Sequence, residues 1–136
     1  MAHPYDHARS SAHKHGGLPE DYMHIHQWFD ESKSYLADFR HRAMRHHAEG
    51  IFMCERIFGV TFENSEGKLI KTRQIGEQHV MEDLGWIPPV SAWLQTIKAE
   101  SWMNRVPRLR IPTDPPEDTA IEKVPTAAGT FANVPG

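Results

Sequence analysis

Histidine is the residue type whose number and placement in this chain indicate chemistry. The 136 residues include 10 histidines, and nine of them lie at positions 3, 7, 13, 15, 24, 26, 41, 46 and 47. The segment "FRHRAMRHHAEG", residues 39–50, carries three of them, including the adjacent pair His46 and His47. An imidazole binds transition metals and titrates near neutral pH, so the clustering indicates metal ligation, proton transfer or pH sensing.

Two pairs of histidine and aspartate share one spacing, His26-x-x-x-Asp30 and His79-x-x-x-Asp83. Residues four apart lie on one face of a helix. Each pair can therefore offer two ligands to one ion, or one ligand with its orienting partner. His46 and Glu49, three residues apart, allow the same use. Chance occurrences and hydrogen-bonded core histidines are the alternative readings of each pair taken alone.

The N-terminal segment "HPYDHARSS" contains His3, Asp6 and His7. These residues belong either to a flexible arm or to a segment that folds back and completes the site, and we expect the second. The predicted ligands are His3, His7, His26, Asp30, His46, His47 and His79. Imidazoles with one or two carboxylates suit zinc, manganese, iron or nickel better than calcium, and the donor set does not choose among the four.

A hydrolytic role assigns further functions to these residues and their neighbours. Asp30 or Asp83 would be a further ligand or the general base, and Lys33 or Arg40 would balance the substrate's negative charge. The chain contains no G-x-S-x-G, no glycine-rich phosphate loop and no H-E-x-x-H motif. Cys54 lies in a helical apolar stripe, which predicts a buried, reduced thiol and no nucleophile.

The elements that would position these residues are mainly helices. A first helix opens at Pro19 and buries Tyr22, Ile25 and Phe29, with His26 on the same face and Asp30 at its edge. A second is predicted over residues 32–58, ending at Gly59. Its apolar stripe consists of Leu36, Phe39, Ala43, Gly50, Cys54 and Ile57. His46 and His47 lie on either side of this stripe, whereas His41, Arg42 and Arg45 point to water.

The rest of the chain predicts a hairpin, two more helices and a tail. "VTFE" and "KLIKTR" flank the turn "NSEG". A helix over residues 77–84 ends at Gly85, and Ser91 caps another that runs to residue 103. The predicted fold is a small, mainly α-helical bundle over residues 1–106, with a short β-hairpin near residues 60–73. Residues 107–136 are predicted to be an extended or disordered, proline-rich tail, held by the body of the domain, a neighbouring copy or a partner. We expect a homo-oligomer or larger assembly that forms through this tail.

Composition excludes several classes of protein. The net charge of −3 does not favour nucleic-acid binding or a polybasic membrane anchor. No apolar run approaches the ~18 residues that span a bilayer, and the N-terminus lacks the apolar segment of a signal peptide. The predicted location is the cytoplasm of a bacterial or phage-infected cell, with the virion as the alternative.

Whole phrases of the sequence resemble one small family. The segments "AHPYDHARSSA", "IHQWFDESK", "DFRHRAMRHHAEGIF" and "GEQHVMEDLGWIP" are similar to proteins of bacterial and bacteriophage genomes grouped as a domain of unknown function. The resemblance covers roughly residues 1–104 and leaves the tail outside. It implies no assigned activity.

A second, weaker resemblance is to the helical HD-type metal-dependent phosphohydrolases. It rests on "HQWFDESK", with His26, Asp30 and Lys33, followed by His46 and His47. The likeness implies a divalent ion held by residues of several helices and hydrolysis of a phosphate ester. This chain differs from that group because no histidine is directly followed by an aspartate.

Three functions follow as hypotheses. The first is a divalent-metal-binding protein that acts as a hydrolase of phosphate-containing substrates. The second is a non-enzymatic bacteriophage structural or accessory protein whose tail docks on a neighbour. The third is a histidine-based pH sensor, which requires a change of state between about pH 5 and 7.

Overall fold

A computed structural model of the chain describes residues 3–105. The helices are α1 (Pro4–His15), α2 (Met23–Asp30), α3 (Ala48–Phe58), α4 (Thr72–Leu84) and α5 (Val90–Leu94), and the strands are β1 (Thr61–Glu63) and β2 (Leu69–Lys71). Short 3₁₀ turns cover Pro19–Asp21, Glu31–Ser34, Phe39–Met44 and Ser101–Asn104. A mainly α-helical fold with one hairpin is thereby confirmed, whereas the predicted tail, residues 107–136, lies outside the described residues.

The described residues up to 98 belong to one compact unit, and every contact below lies within it. Within it, α4 packs against α3 and α2, and α1 packs against α2. As the spacing predicts, Tyr22, Ile25 and Phe29 are fully buried. His26 and Asp30 extend the same face of α2 into the interior. The described residues include no helix long and apolar enough to cross a membrane.

The predicted helix over residues 32–58 is wrong in its first half. Two 3₁₀ turns occupy that part of the chain, and α3 begins only at Ala48. The Asp38 carboxylate accepts the Arg40 backbone N–H at 2.9 Å. The His47 Nδ1 accepts the Gly50 N–H at 2.9 Å. These side-chain caps start new turns, and such capping competes with continuous helix.

Gly50 explains why the chain can bend at this point. A Cβ atom there would overlap the carbonyl oxygen of Arg45, so only glycine lets the preceding segment fold back on the first turn of α3. A prediction from the spacing of apolar residues assumes one continuous helix, so it assigns the wrong residues to the core on the far side of such a bend. His41, predicted to face water, is fully buried, whereas Phe39 and Ile57, assigned to the core stripe, are 67% and 58% exposed. Arg42 and Arg45 are also mostly buried, at 14% and 22% side-chain exposure.

The second half of the chain follows the prediction more closely. The hairpin pairs Thr61 with Lys71 in an antiparallel register. Helix α4 ends as predicted at Gly85, whose φ of +81° is left-handed, but α4 begins at Thr72 and is longer than expected. Helix α5 ends at Leu94, well short of residue 103, and Pro89, not Ser91, is its N-cap residue.

Candidate metal centre

Two carboxylates meet in the interior where α2 and α4 cross. Asp30 is the last residue of α2 and Asp83 lies near the end of α4. His79, one turn before Asp83, and His46, just before α3, lie between them. One ligand atom from each of these four residues lies within 4.8 Å of the other three. His46 and His79 are fully buried, and the two aspartate side chains are 6% and 3% exposed.

The interatomic distances match those of donors around one ion. His46 Nε2 and His79 Nε2 lie 2.9 and 3.2 Å from Asp83 Oδ2. The same two nitrogens lie 3.6 and 3.4 Å from Asp30 Oδ1. Ligand atoms bound at about 2.1 Å to one ion are about 3.0 Å apart at right angles and about 3.4 Å apart at the tetrahedral angle.

Helix α1 brings a third histidine, His7, to one of these two carboxylates. The N-terminal segment is a helix and not an arm, and it does fold back onto the body of the protein, as expected. His7 is 1% exposed, and its Nε2 lies 3.2 Å from Asp83 Oδ1. His3, also a predicted ligand, is the exposed N-cap residue of α1 and lies outside the cluster.

The opposite nitrogens of His7 and His79 are held by a second layer of side chains. His7 Nδ1 lies 2.7 Å from Glu82 Oε1. Because a carboxylate only accepts, His7 Nδ1 donates, and in the neutral ring Nε2 then carries a lone pair directed at Asp83. Ser10 also donates to Glu82, at 2.6 Å, and holds this carboxylate in place.

His26 fixes the position of the proton on His79 in the same way. The two Nδ1 atoms are 2.9 Å apart, His26 Nε2 is 2.8 Å from Ser11 Oγ, and that hydroxyl is 2.9 Å from Gln78 Oε1. Ser11 has one proton and gives it to Gln78, so His26 Nε2 must donate to Ser11 and His79 Nδ1 to His26. His79 Nε2 is then a lone pair facing both aspartates.

Unsatisfied polar atoms concentrate at this one place. Seven buried side-chain nitrogen or oxygen atoms among the described residues make no hydrogen bond, and six of them belong to the cluster or its immediate neighbours: His7 Nε2, Asp30 Oδ2, His41 Nε2, Arg42 Nε, His46 Nδ1 and His79 Nε2. Buried polar atoms are almost always paired, so such a group indicates a missing partner. A cation between the imidazoles and the two carboxylates could supply that partner.

The pKa values show how far protons can supply that positive charge. Burial lowers the pKa of His26 to about 2 and that of His46 to about 4, so both rings are neutral at pH 7. Burial opposes ionisation of Asp83, but its close contacts with the imidazoles of His46, His7 and His79 outweigh burial and hold the pKa of Asp83 far below its usual range. The neighbouring carboxylates of Asp83 and Glu82 likewise outweigh the burial of His7 and raise its pKa. A proton on His7 can therefore offset only one of the two buried negative charges.

An aromatic contact and a hydrogen bond to the backbone hold His79 and His46 in place. The ring of Phe29 stacks on that of His79 with centroids 4.9 Å apart. Trp93 Nε1, from α5, donates to the carbonyl oxygen of His46 at 3.0 Å. The site is thus built from α1, α2, α4 and the segment before α3, with α5 holding that last segment.

Other predicted site residues lie elsewhere. His47 is buried but caps α3. Glu49, proposed to act with His46, accepts the Val90 N–H at 2.7 Å and so joins α3 to α5. Arg40 forms an exposed ion pair with Asp38 at 2.8 Å. Lys33 is half-buried and lines a surface cavity that also includes Asp30.

Sequence reasoning missed Glu82, Gln78, Ser11, Arg42 and the burial of His41. For the first two a signal existed, because they precede Asp83 and His79 in α4 and repeat their i, i+4 spacing. The others depend on how helices pack, or on the break in the predicted second helix, and carried no local signal.

Comparison with known protein families identifies the family of this chain. Residues 2–103 match the model of a domain of unknown function, DUF6915. The chain belongs to this family. The DUF6915 match includes every residue of the cluster and confirms the resemblance to a family without assigned activity. No curated protein and no solved structure matches the chain.

Proposed function

We propose that this DUF6915 protein binds one divalent transition-metal ion between Asp30, His46, His79 and Asp83, with His7 as a fifth ligand. The observation that supports this most is the group of buried, unpaired donor atoms around two carboxylates. Three imidazoles and two carboxylates suit zinc, manganese, iron or nickel. His26 and Glu82 would act one layer out, by fixing the tautomers of His79 and His7.

The adjacent histidines provide a matched test. His46→Ala removes a ligand, and we expect the untagged protein to lose its metal in elemental analysis and in calorimetric titration. His47→Ala removes only the cap of α3, which typically costs about 1 kcal/mol of stability, and should leave the metal content unchanged. Equal metal content in wild type and His46→Ala would refute the proposed centre.

Hydrolysis of a phosphate-containing substrate is the reaction that we propose for this centre. A surface cavity of about 570 Å³ includes Asp30, the one proposed ligand among its lining residues, together with Lys33. A divalent ion would supply Lewis acidity and lower the pKa of a water molecule. Asp30 Oδ2, which has no hydrogen-bond partner among the described residues, would accept the proton of that water, and Lys33 would add positive charge at the cavity.

The activity test separates binding from catalysis. Protein loaded with the ion it retains should hydrolyse some member of a panel of phosphate esters and nucleotides, and a chelator should abolish this. Asp30→Asn should reduce turnover more than it reduces metal occupancy. A metal-replete protein that is inert toward the whole panel would refute the hydrolase and leave the metal site standing.

A non-enzymatic assembly protein is the second candidate. It is supported by two apolar side chains one turn apart on α3 that face solvent, Met53 at 40% and Ile57 at 58% exposure. Such residues are typical of interaction surfaces when they form a patch. Light scattering should then give a mass above that of one chain, and Ile57→Lys should reduce it. A strict monomer would exclude this candidate.

A further inference from the structure

Arg42 lies beside the metal centre with its charge incompletely balanced. Its side chain is only 14% exposed, and Nη2 lies 3.5 Å from Asp83 Oδ1. Nε is buried and makes no hydrogen bond within residues 3–105. A charge-assisted hydrogen bond is usually about 2.7–2.9 Å long, so the contact with Asp83 is loose. Burying a guanidinium without full partners is costly, and a missing anion would account for it.

A bound divalent ion increases the need for that anion. Asp30 and Asp83 together contribute two negative charges, which a divalent ion neutralises. Glu82 lies on the far side of the His7 ring, where it accepts from His7 and Ser10 and its charge is paired with that of Lys14 at 3.5 Å. The positive charge of Arg42 then has no counter-charge at the centre, and its weak hold on Asp83 competes with the ion for the same carboxylate.

We propose that the metal-loaded centre binds a phosphate group, as inorganic phosphate or a phosphate monoester, between the ion and the Arg42 guanidinium. This inference rests on the proposed metal site and names the residue that recognises the substrate. The planar fork of arginine matches two phosphate oxygens. The Arg42 side chain itself retains 14% exposure to solvent.

Arg42 fits this role better than the two cations that the sequence suggested. Arg40 is 69% exposed and bound to Asp38. Lys33 lines the cavity that also includes Asp30, whereas Arg42 directly contacts Asp83, a carboxylate of the cluster.

Equilibrium dialysis with radiolabelled inorganic phosphate tests the proposal on the full chain. We expect phosphate to bind the protein loaded with the ion it retains and not the chelator-treated protein. Arg42→Gln should weaken phosphate binding about 10- to 100-fold, the usual effect of losing charge-assisted hydrogen bonds. Arg42→Lys keeps the charge without the fork and should fall in between. Arg40→Gln is the matched control and should bind phosphate like wild type.

Each result has a distinct meaning. If wild type retains no metal, the proposed function fails and this inference fails with it. If metal is retained but loaded wild type does not bind phosphate, the inference alone is overturned. It is also overturned if Arg42→Gln, or Arg42→Lys where the first variant does not fold, binds phosphate as tightly as wild type.

Discussion

His46 and His47 are neighbours in the chain, yet their side chains have unrelated surroundings. His46 Nε2 contacts the Asp83 carboxylate at 2.9 Å, and His47 Nδ1 accepts a backbone N–H of α3 at 2.9 Å. The same residue type thus faces a buried carboxylate at one position and replaces a serine or aspartate cap at the next. Residue identity alone does not separate the two, because the backbone between them leaves the helical path.

Glu82 is the outer contact that orients His7, one of the proposed ligands. Its carboxylate fixes the proton of His7 on Nδ1. Glu82→Gln replaces that acceptor with a weaker one, and loss of such a contact typically costs 10- to 100-fold in metal affinity. We therefore expect the Kd for the metal, measured by competition with a chromogenic chelator, to rise about that much.

Glu77→Gln is the control for this substitution. Glu77 lies on the same helix, and its side chain forms no hydrogen bond or ion pair in the described part of the chain. An unchanged Kd in Glu82→Gln would show that His7 does not depend on Glu82 for its orientation.

Among the elements, α1 depends most on the polar site for its position. Its buried residues are His7, Ala8 and Ser11, so a single alanine is its fully buried apolar contribution. An isolated helix of 12 residues is marginal in water. Its docking therefore relies on His7 and Ser11, whose partners belong to the cluster.

Metal removal should consequently loosen α1 before the other helices. We expect chelation to increase amide hydrogen exchange in residues 4–15 more than in α3 or α4, as measured by mass spectrometry. The variant His7→Ala should show the fast exchange even with metal present, while His13→Ala, altered at an exposed residue of the same helix, should not. Equal protection of residues 4–15 with and without metal would contradict a role of the ion in docking α1.

For the whole molecule, buried neutral histidines couple stability to pH. The pKa values of His26 and His46 are lowered in the folded state, to about 2 and about 4, so the unfolded state binds more protons below the ordinary value of 6.5. Stability is then complete above about pH 7 and decreases as the pH falls. His7 acts in the opposite direction because its pKa is raised, but its contribution no longer changes below about pH 6.5.

Metal-free protein should therefore lose stability on mild acidification. Between pH 6 and pH 5 we expect the two histidines together to lower the free energy of unfolding by about 2–3 kcal/mol, as measured by urea denaturation. His26→Gln should show about half of this slope. A free energy of unfolding that stays constant from pH 7 to pH 5 would contradict the burial of neutral imidazoles.

Much of the helical half of the site was determined by the sequence itself. The spacing of His26 to Asp30 and of His79 to Asp83 placed each pair on one face of α2 and α4, because a helix of regular period fixes which residues point together. Glycine at positions 59 and 85 marked the helix ends, since a positive φ favours that residue.

Tertiary structure alone decided which of these faces meet and which histidines join them. The predicted positions of His41 and His47 were wrong because the chain forms 3₁₀ turns over residues 31–47 in place of a continuous α-helix. The caps at Asp38 and His47 and the close approach at Gly50 favour these turns, whatever the spacing of the apolar residues. Glu82, Ser11 and Arg42 gained their contacts only from packing of segments distant in sequence. Periodicity describes one element at a time, and the convergence of four segments on two carboxylates is a property of their packing.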